Sequence, residues 1–547
     1  MPCGYILKIR FIIALFMIAI RADSSHSQSI HELIKKTQIA IPFTDTMANP
    51  VQRGNPTPAA KQSRWWRQHA TIAPASETTP YLAAVIGFIE TMIQHGTDRY
   101  GPEHSPMFAS ILDIETQSLP LLQPELLPGQ RSADRAYPGG NMQQDLLTLL
   151  TMYYVSDYVN RADYADAADA YLAFFLDHCA PVGNGLFPSG EHAFWNFYEE
   201  TVEKPKHEEL GLIPDAFLDR LWSINPTSTE QHIRSLLYHI VDEDRWYWNR
   251  HAPILGEHDD SIRAIPRHGG FYIYQWSYLY KQIKQEEVLD WAKKTAEVHW
   301  HQRHPITGLT PYFVEGDPIR SDDPDKAEVV TSQILALGVA LLQANALLGH
   351  DALARFEEVG RTYVHSAIDT VSHDPKHGII IRRLYADGSP YAGDAPDRYR
   401  FWDSWYAASG GYGFQGAEKF AIQVLNAYRL LGSPAYLTFA QDIWHYYQTI
   451  PDPSHDDIIV PGKLAGLIAL SLDLFDLTGE TMYLAYALKM CDWALDQLYV
   501  NGLFRAAVGK NYYEAANGVG ALVMELFRFH LTVTGSAYPL PRNYWDY

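Results

Sequence analysis

Three polar clusters between residues 185 and 252 contain the side chains best suited to bind a metal ion. They are Glu191-His192, His207-Glu208-Glu209 and Arg250-His251. Two imidazoles and one carboxylate together suit a transition metal such as Mn, Fe, Co, Ni or Zn. The clusters lie far apart in the chain and none forms a local metal-binding motif, so the fold must bring them together. On spacing alone, surface or packing roles explain the same residues.

The sequence around these clusters resembles polysaccharide lyase family 2, the metal-dependent pectate lyases. GEH ending at His192 is similar to a glycine-rich family turn that ends in His. HEELGLIP at residues 207–214 is similar to a His-Glu-Leu-Lys stretch followed by Pro, and NRH ending at His251 to an Arg-His pair. LWSINPTSTEQHI (221–233) and the segment 290–313 are similar to two further family stretches. The resemblance extends over residues 185–313.

This resemblance implies an α/α toroid that cleaves a uronic acid polymer. It implies that His192, Glu208 and His251 bind a divalent ion, Mn or a similar transition metal, and that Arg250 is the base. The sequence departs from the family where Pro-Ser-Gly precedes Glu191 in place of a Trp, and where the Lys after Glu208 is replaced. We therefore expect a divergent relative, acting on pectate or on a related uronate polymer.

The expected reaction is β-elimination, in which a base removes the C5 proton of a uronic acid and the C4 oxygen leaves. A metal on the substrate carboxylate makes that proton more acidic and stabilises the enolate-like intermediate. On residue chemistry alone, His251 or His192 would be the base, because imidazole titrates near neutral pH. Arg250 would then be an ion-pair partner for Asp242 or Asp244.

Four further residues are candidates for substrate binding. Arg267 could hold a carboxylate with two parallel hydrogen bonds. Trp402 and Trp405 offer flat apolar faces for sugar rings, and Arg131 adds a cation before a Pro-Gly-Gly turn. Packing at the rim of the fold is the alternative for each of them.

The overall charge limits the partners. The formal net charge is −21, which argues against nucleic acid, because phosphate binding needs a basic surface. An acidic polysaccharide or oligosaccharide would need a locally cationic site, formed by Arg, Lys or a bound metal. Neither a P-loop nor a dinucleotide-binding fingerprint is visible, so we expect no nucleotide cofactor.

From residue 80 to the end, apolar residues recur at helical spacing. The segments come in pairs joined by short breaks, which predicts an all-α chain folded as an (α/α)-toroid of about six or seven helical hairpins. In such a ring the cleft lies at the rim where long loops meet. The long irregular segments 178–206, 247–268, 301–326 and 372–412 are therefore the expected location of the site.

The first 22 residues have the pattern of a signal peptide. Lys8 and Arg10 precede an apolar run of ten residues, 11–20, which is too short to cross a bilayer. We expect an exported protein, periplasmic or secreted, with a polar arm at 23–79 and a catalytic domain at 80–547. No other segment is expected to insert stably in a membrane, and Cys179 and Cys491 are expected to be buried thiols.

Two other readings of the sequence stay open. A glycoside hydrolase or epimerase on the same toroid could use Asp259 or Asp260 with Asp403, since hydrolysis needs two carboxylates that flank the bond. A non-catalytic sugar-binding envelope protein would bind without turnover. The sequence gives no indication of the oligomeric state.

Overall fold

A computed structural model describes most of the chain after residue 77. The chain divides into two units, Met1–Thr71 and Ile72–Tyr547, and every described residue belongs to the second. The described ranges are 78–128, 130–257, 260–312, 323–349, 353–370, 380–381, 383–391, 401–402, 416–449 and 458–542. The predicted signal segment and nearly all of the predicted arm lie outside them, so those boundaries stay predictions.

The apolar periodicity forms fourteen α-helices in the described residues. Several begin with a proline in the first turn, as α12 does at Pro461, and several end at a left-handed glycine, as α10 and α12 do at Gly432 and Gly479. The helices are α1 Pro80–Thr91, α2 Met142–Val159, α3 Ala162–Phe174, α4 Asp215–Ile224, α5 Pro226–Ser235, α6 Pro266–Ile283, α7 Glu286–Gln302, α8 Thr331–Leu348, α9 Ala354–His365, α10 Ala417–Leu431, α11 Pro434–Tyr447, α12 Pro461–Thr478, α13 Thr481–Leu498 and α14 Val519–Thr534.

These helices form a closed ring of hairpins. The inner helices pack in the order α2, α6, α8, α10, α12 and α14, and α14 packs against α2. The short pair α4–α5 fills the interval between α2 and α6. The outer helices α1, α3, α7, α9, α11 and α13 each pack against an inner neighbour. The predicted (α/α)-toroid is therefore confirmed.

Short antiparallel strand pairs occur in the loops between the helices. Because the partners in a hairpin run in opposite directions, the inner helices run in the same direction and their first turns meet at one rim. The strands are β1 Ile111–Asp113, β2 Gly139–Gly140, β3 Phe194–Asn196, β4 Thr201–Glu203, β5 Lys206–His207, β6 Ile240–Asp242, β7 Tyr247–Trp248, β8 Ala252–Pro253, β9 Glu328–Val330, β10 Ile380–Ile381, β11 Arg383–Tyr385, β12 Phe401–Trp402, β13 Tyr499–Val500, β14 Leu503–Phe504 and β15 Tyr512–Glu514. Pairing of β5 with β8 joins two of the polar clusters.

The inner helix α8 corrects one expectation from the sequence. No segment after the first 22 residues was expected to be long and apolar enough to cross a membrane. By length and composition, Thr331–Leu348 is. In the folded ring, 78% of this 18-residue segment is buried inside the protein. An inner helix is covered on both sides, so it needs no polar face. Cys179 and Cys491 are buried free thiols, as predicted.

One buried carboxyl group packs between α2 and α3. Asp145 is fully buried and accepts a hydrogen bond from the hydroxyl of Tyr171 at 2.8 Å. Burial raises the pKa of Asp145 to about 8, although the hydrogen bond from Tyr171 acts in the opposite direction. The group is therefore mostly protonated in the folded protein at neutral pH.

We expect Asp145→Asn to stabilise the protein at alkaline pH. An aspartate titrates near about 3.9 in an unfolded chain, so folding takes up a proton between about pH 4 and about pH 8, and this contribution to stability is lost as the pH rises through that window. Asparagine does not ionise and still accepts the hydrogen bond from Tyr171. Thermal unfolding should show a larger gain in Tm for the variant near pH 9 than near pH 5.

Asp166→Asn, at an exposed position of α3, is the control and should change Tm equally at both pH values. An equal effect of Asp145→Asn at the two pH values would contradict the prediction, since it would mean that the carboxyl group does not titrate between them.

Candidate metal centre

A clamped turn carries the first two polar residues of the site. Asn141, the N-cap of α2, donates from Nδ2 to the carbonyls of Gly190 at 2.9 Å and Ala193 at 3.0 Å. Gly190 has a φ of 112° and lies against Glu208, where a Cβ would be 2.7 Å from the Glu208 carbonyl. Only glycine fits this close approach, so the turn holds His192 beside Glu208.

An acidic residue orients the imidazole of His192. Its Nδ1 lies 3.2 Å from Oδ1 of Asp134, and this contact raises the pKa of His192. Arg131 pairs with Asp134 in turn. The contact holds Nδ1 on the side of Asp134 and leaves the other ring nitrogen, Nε2, 3.7 Å from Oε2 of Glu191.

Glu208 is the buried carboxylate at the floor of the site. Its Oε2 lies 3.0 Å from Nε2 of His251, and its Oε1 lies 3.3 Å from Nε of Arg250 and 3.5 Å from Nε2 of His268. Burial would raise the pKa of Glu208, but the contacts with His251 and His268 and the charge of Arg250 hold it well below the usual value. Glu208 is therefore an ionised carboxylate that is only 2% exposed.

Arg250 and His251 complete the group. His207 in β5 is paired with Ala252 in β8, which places the preceding two residues beside Glu208. Nε of Arg250 lies 3.1 Å from Nε2 of His251, and the same ring nitrogen lies 3.0 Å from Oε2 of Glu208. An imidazole nitrogen and a carboxylate oxygen this close together can both reach one metal ion.

A buried pair of imidazoles joins the two loops. Nδ1 of His239 lies 2.7 Å from the carbonyl of Asn249, which can only accept, so this nitrogen carries the proton. Nε2 of His239 must then accept from Nδ1 of His207, 2.6 Å away. These two hydrogen bonds connect His207, which precedes Glu208, through His239 to Asn249, which precedes Arg250.

A second group, formed by His207, Glu209 and His232, also has donor atoms close enough to share a metal ion, but the tautomer of His232 excludes it as a metal site. Nδ1 of His232 accepts the backbone N–H of Phe187 at 3.0 Å, so in the neutral ring Nε2 carries the proton and cannot bind a metal. Glu209 accepts from Gln275 at 2.6 Å. Burial raises the pKa of Glu209, but the two imidazoles outweigh it and lower the pKa. This group is a buried hydrogen-bonded cluster.

The structure brings together all four residues expected at the metal and the base. The side chains of His192, His251 and Arg250 are each 23% exposed, so the site opens to solvent above Glu208. Their roles stay predictions, since proximity alone does not assign them. Arg250 contacts Glu208 and lies 3.6 Å from Glu191, so neither Asp242 nor Asp244 is its partner; Asp242 pairs with Arg245.

The predicted substrate-binding residues have different locations. Arg131 lies at the edge of the site, half exposed, and pairs with Asp134 and with Glu191 at 2.8 Å. Arg267, in the first turn of α6, is partly buried beside His268. The side chain of Trp402 and all of Trp405 lie outside the described residues, as do Asp259 and Asp403 of the hydrolase alternative.

Two residues of the site were not predicted to have a role in it: Asp134 behind His192 and His268 behind Glu208. Glu191 was placed in a polar cluster but was not among the three predicted metal ligands. Burial lowers the pKa of His268 to about 3, so its ring is neutral. The Glu-His pair was visible in the sequence, whereas Asp134 lies too far away in the chain to be connected with His192 by spacing.

The residues fit a divalent transition metal. Glu191, His192, Glu208 and His251 each offer a donor atom, and these atoms lie within 4.8 Å of one another. Oε1 of Glu208 is buried and makes no hydrogen bond to any described residue. An ionised carboxylate with a buried oxygen that makes no hydrogen bond lies here next to two imidazoles. Together these groups are a suitable donor set for Mn, Fe, Co, Ni or Zn.

The sequence comparison covers this site. Residues 131–264 match the family model described as periplasmic pectate lyase. The resemblance noted from the sequence over residues 185–313 is confirmed for residues 185–264, and the matching segment, which begins at Arg131, includes all the donor residues.

Solved structures with a similar course of the chain are distant. A D-mannose isomerase has a TM-score of 0.47 and 11% identity, with 84% of this chain and 100% of that chain covered. A cellobiose 2-epimerase from Spirochaeta thermophila has a TM-score of 0.46 and 14% identity, with 71% and 98% covered. An unsaturated glucuronyl hydrolase from Bacillus sp. GL1 has a TM-score of 0.42 and 11% identity, with 83% and 97% covered. Their named reactions differ, and none is transferred to this chain.

We expect Asp134→Asn to weaken metal binding. Removing the carboxylate that orients a ligating imidazole typically costs about 10–100-fold in metal affinity. Titration of the metal-free protein with Mn²⁺ should show this loss. Asp242→Asn, which removes an arginine-paired carboxylate away from the donor atoms, should leave the affinity unchanged. Equal affinities of Asp134→Asn and the unaltered protein would mean that Asp134 does not support His192.

Proposed function

We propose that the protein is a metal-dependent polysaccharide lyase that cleaves a uronic acid polymer, pectate or a relative of it, by β-elimination. One observation carries the proposal. His192, Glu208 and His251, with Arg250 in contact with two of them, converge within the segment that matches periplasmic pectate lyases. The match supports a lyase of acidic polysaccharides more directly than it supports hydrolysis or epimerisation.

The proposed ion is Mn²⁺ or a similar divalent metal, held by His192, Glu208 and His251. When bound, it would act as a Lewis acid on the substrate carboxylate and stabilise the negative charge that develops there. Asp134 and His268 would keep the donor atoms in place from behind. Glu208 would remain ionised at any pH at which the imidazoles can bind a metal, because its pKa is held so low.

Arg250 is the proposed base. A guanidinium ion cannot accept a proton, so Arg250 must first lose one to solvent. The neutral side chain then takes the C5 proton, the electron pair of the C5–H bond forms the C4–C5 double bond, and the C4–O bond breaks as solvent protonates the leaving oxygen. In the structure Arg250 pairs with Glu208 at 3.3 Å and with Glu191 at 3.6 Å. A divalent cation bound by the same carboxylates would weaken these ion pairs. It would thereby favour the neutral form of Arg250, which is the form that can act as a base.

An acidic substrate must overcome the average charge of the protein, which is −21. Two arginines near the donor atoms provide local positive charge that does not depend on the protonation of the base: Arg131 and Arg267. We propose that they attract the polymer and that Arg131 and Arg267 bind uronate carboxylates outside the reacting residue. The family model that matches this segment is described as periplasmic, and we propose that the protein is exported to the periplasm or secreted.

A panel of uronic acid polymers tests the proposal. The measurement is the increase in ultraviolet absorbance from the new C4–C5 double bond, with added Mn²⁺ and with a chelator in parallel. We expect product only with metal, and none from Glu208→Gln, which loses the ligating charge. We expect Arg250→Met to lower kcat by about 10²–10⁴-fold, the usual contribution of a positioned general base.

Arg245→Met is the matched control for Arg250, because Arg245 lies in the same loop and pairs with Asp242 away from the donor atoms. It should keep full activity. Release of reducing ends without ultraviolet absorbance would identify a hydrolase instead. Binding of a polymer without bond cleavage would support the sugar-binding alternative.

A further inference from the structure

We propose that Glu191 is a fourth protein ligand, so that the ion is bound by two imidazoles and two carboxylates. This inference rests on the proposed metal-dependent function and deepens it. The family resemblance implies only His192, Glu208 and His251, and therefore does not predict this ligand.

The distances support a shared ion. A donor oxygen of Glu191 lies within 4.8 Å of the donor atoms of the three other residues. Its Oε2 is 3.7 Å from Nε2 of His192. Two ligand atoms at about 2.0–2.2 Å from one ion can be at most about 4.4 Å apart. Every pair of the four donor atoms is therefore within a few tenths of an ångström of the largest separation that one ion allows.

The clamped turn places Glu191 as firmly as it places His192. The two residues are consecutive, and the carbonyls on either side of them, of Gly190 and Ala193, are both held by Asn141. Gly190 also packs directly on the backbone of Glu208. The Glu191 side chain is only 12% exposed, so it is directed into the site and away from solvent.

Both ligands of the turn have partners that orient them. Asp134 lies behind His192, and Arg131 donates from Nη2 to Oε2 of Glu191 at 2.8 Å. Arg131 also pairs with Asp134, so a single guanidinium joins the two partners. Ligating carboxylates are commonly hydrogen-bonded from outside the metal in this way.

A second carboxylate changes the charge of the loaded site. Glu191 and Glu208 together would balance a divalent ion, since the imidazoles are neutral when they bind metal. Attraction of an acidic polymer would then depend on Arg131 and Arg267. Two carboxylates also shift the donor set toward oxygen, which favours Mn²⁺ among the transition metals that imidazoles accept.

The competing explanation is that Glu191 serves only as the counter-charge of Arg131. In that case the loss of Glu191 would still weaken cation binding through charge, so affinity alone does not decide. The number of water molecules bound directly to the ion does decide, because a lost ligand is replaced by water, whereas a lost distant charge is not.

The experiment uses the full chain, stripped of metal and titrated with Mn²⁺. Affinity and the number of directly bound waters are obtained from water-proton relaxation. For Glu191→Ala we expect one additional bound water and an affinity lower by more than about tenfold, equivalent to about 1.4 kcal/mol. An unchanged water number would overturn the inference, whatever the affinity.

Two variants guard the result. Glu191→Gln keeps the size of the side chain and its hydrogen bond to Arg131, and it replaces Glu191→Ala if that variant proves unstable. It should also weaken Mn²⁺ binding, and normal Mn²⁺ binding by Glu191→Gln would overturn the inference. Glu203→Ala, in β4 with its carboxylate on Asn196, is the matched control and should change neither quantity.

Failure of this inference and failure of the proposed function give different results. If the protein binds Mn²⁺ and cleaves a polymer but Glu191→Ala adds no water, the inference is wrong and the function stands. If Glu191→Ala adds a water but no polymer is cleaved by the unaltered protein, the ligand is correct and the function is wrong. Absence of any Mn²⁺ binding would overturn both.

Discussion

An ionised carboxylate buried from water must be surrounded by groups that donate hydrogen bonds or carry positive charge. Glu208 is such a group, and the loops at this rim of the ring are arranged around it. His251 and Arg250 reach it from one loop, His268 from the first turn of α6, and Gly190 packs on its backbone. The charge of Arg250 and the contact with His251 compensate part of the cost of burial, and Oε1 of Glu208 is left without a hydrogen bond to any described residue.

The scaffold behind Glu208 explains how distant parts of the chain can hold donor atoms in a fixed arrangement. Asn141 caps α2 and clamps the turn before β3 with the same side chain. The His207–His239 pair ties the strand before Glu208 to the loop that carries Arg250. These are hydrogen bonds between buried groups, for which water cannot substitute, so they favour a single geometry over a set of alternatives.

Much of the fold could be predicted from the sequence, because helical periodicity depends on local residues. Helical spacing of apolar residues predicts helices at 142–159 and 481–498, and these coincide with α2 and α13. The same spacing predicts a helix at 230–241, but tertiary contacts override it there: α5 covers residues 226–235 and is followed by a turn and β6. The resemblance predicted which metal-site residues converge, whereas Asp134 and His268 could be found only from the folded chain.

The paired glutamates at 208 and 209 have a consequence for how this strand can be altered. Glu208 faces the donor atoms, while His207 and Glu209 share the buried imidazole cluster on the other side. Because neighbouring residues of an extended chain point to opposite sides, a shift that moves Glu209 into the position of Glu208 would again present a glutamate to each side. The identity of the residues therefore does not define the alignment. The histidine pairing to His239 and the close approach of Gly190 define it, and a one-residue insertion or deletion beside them would exchange a metal-facing carboxylate for a structural one.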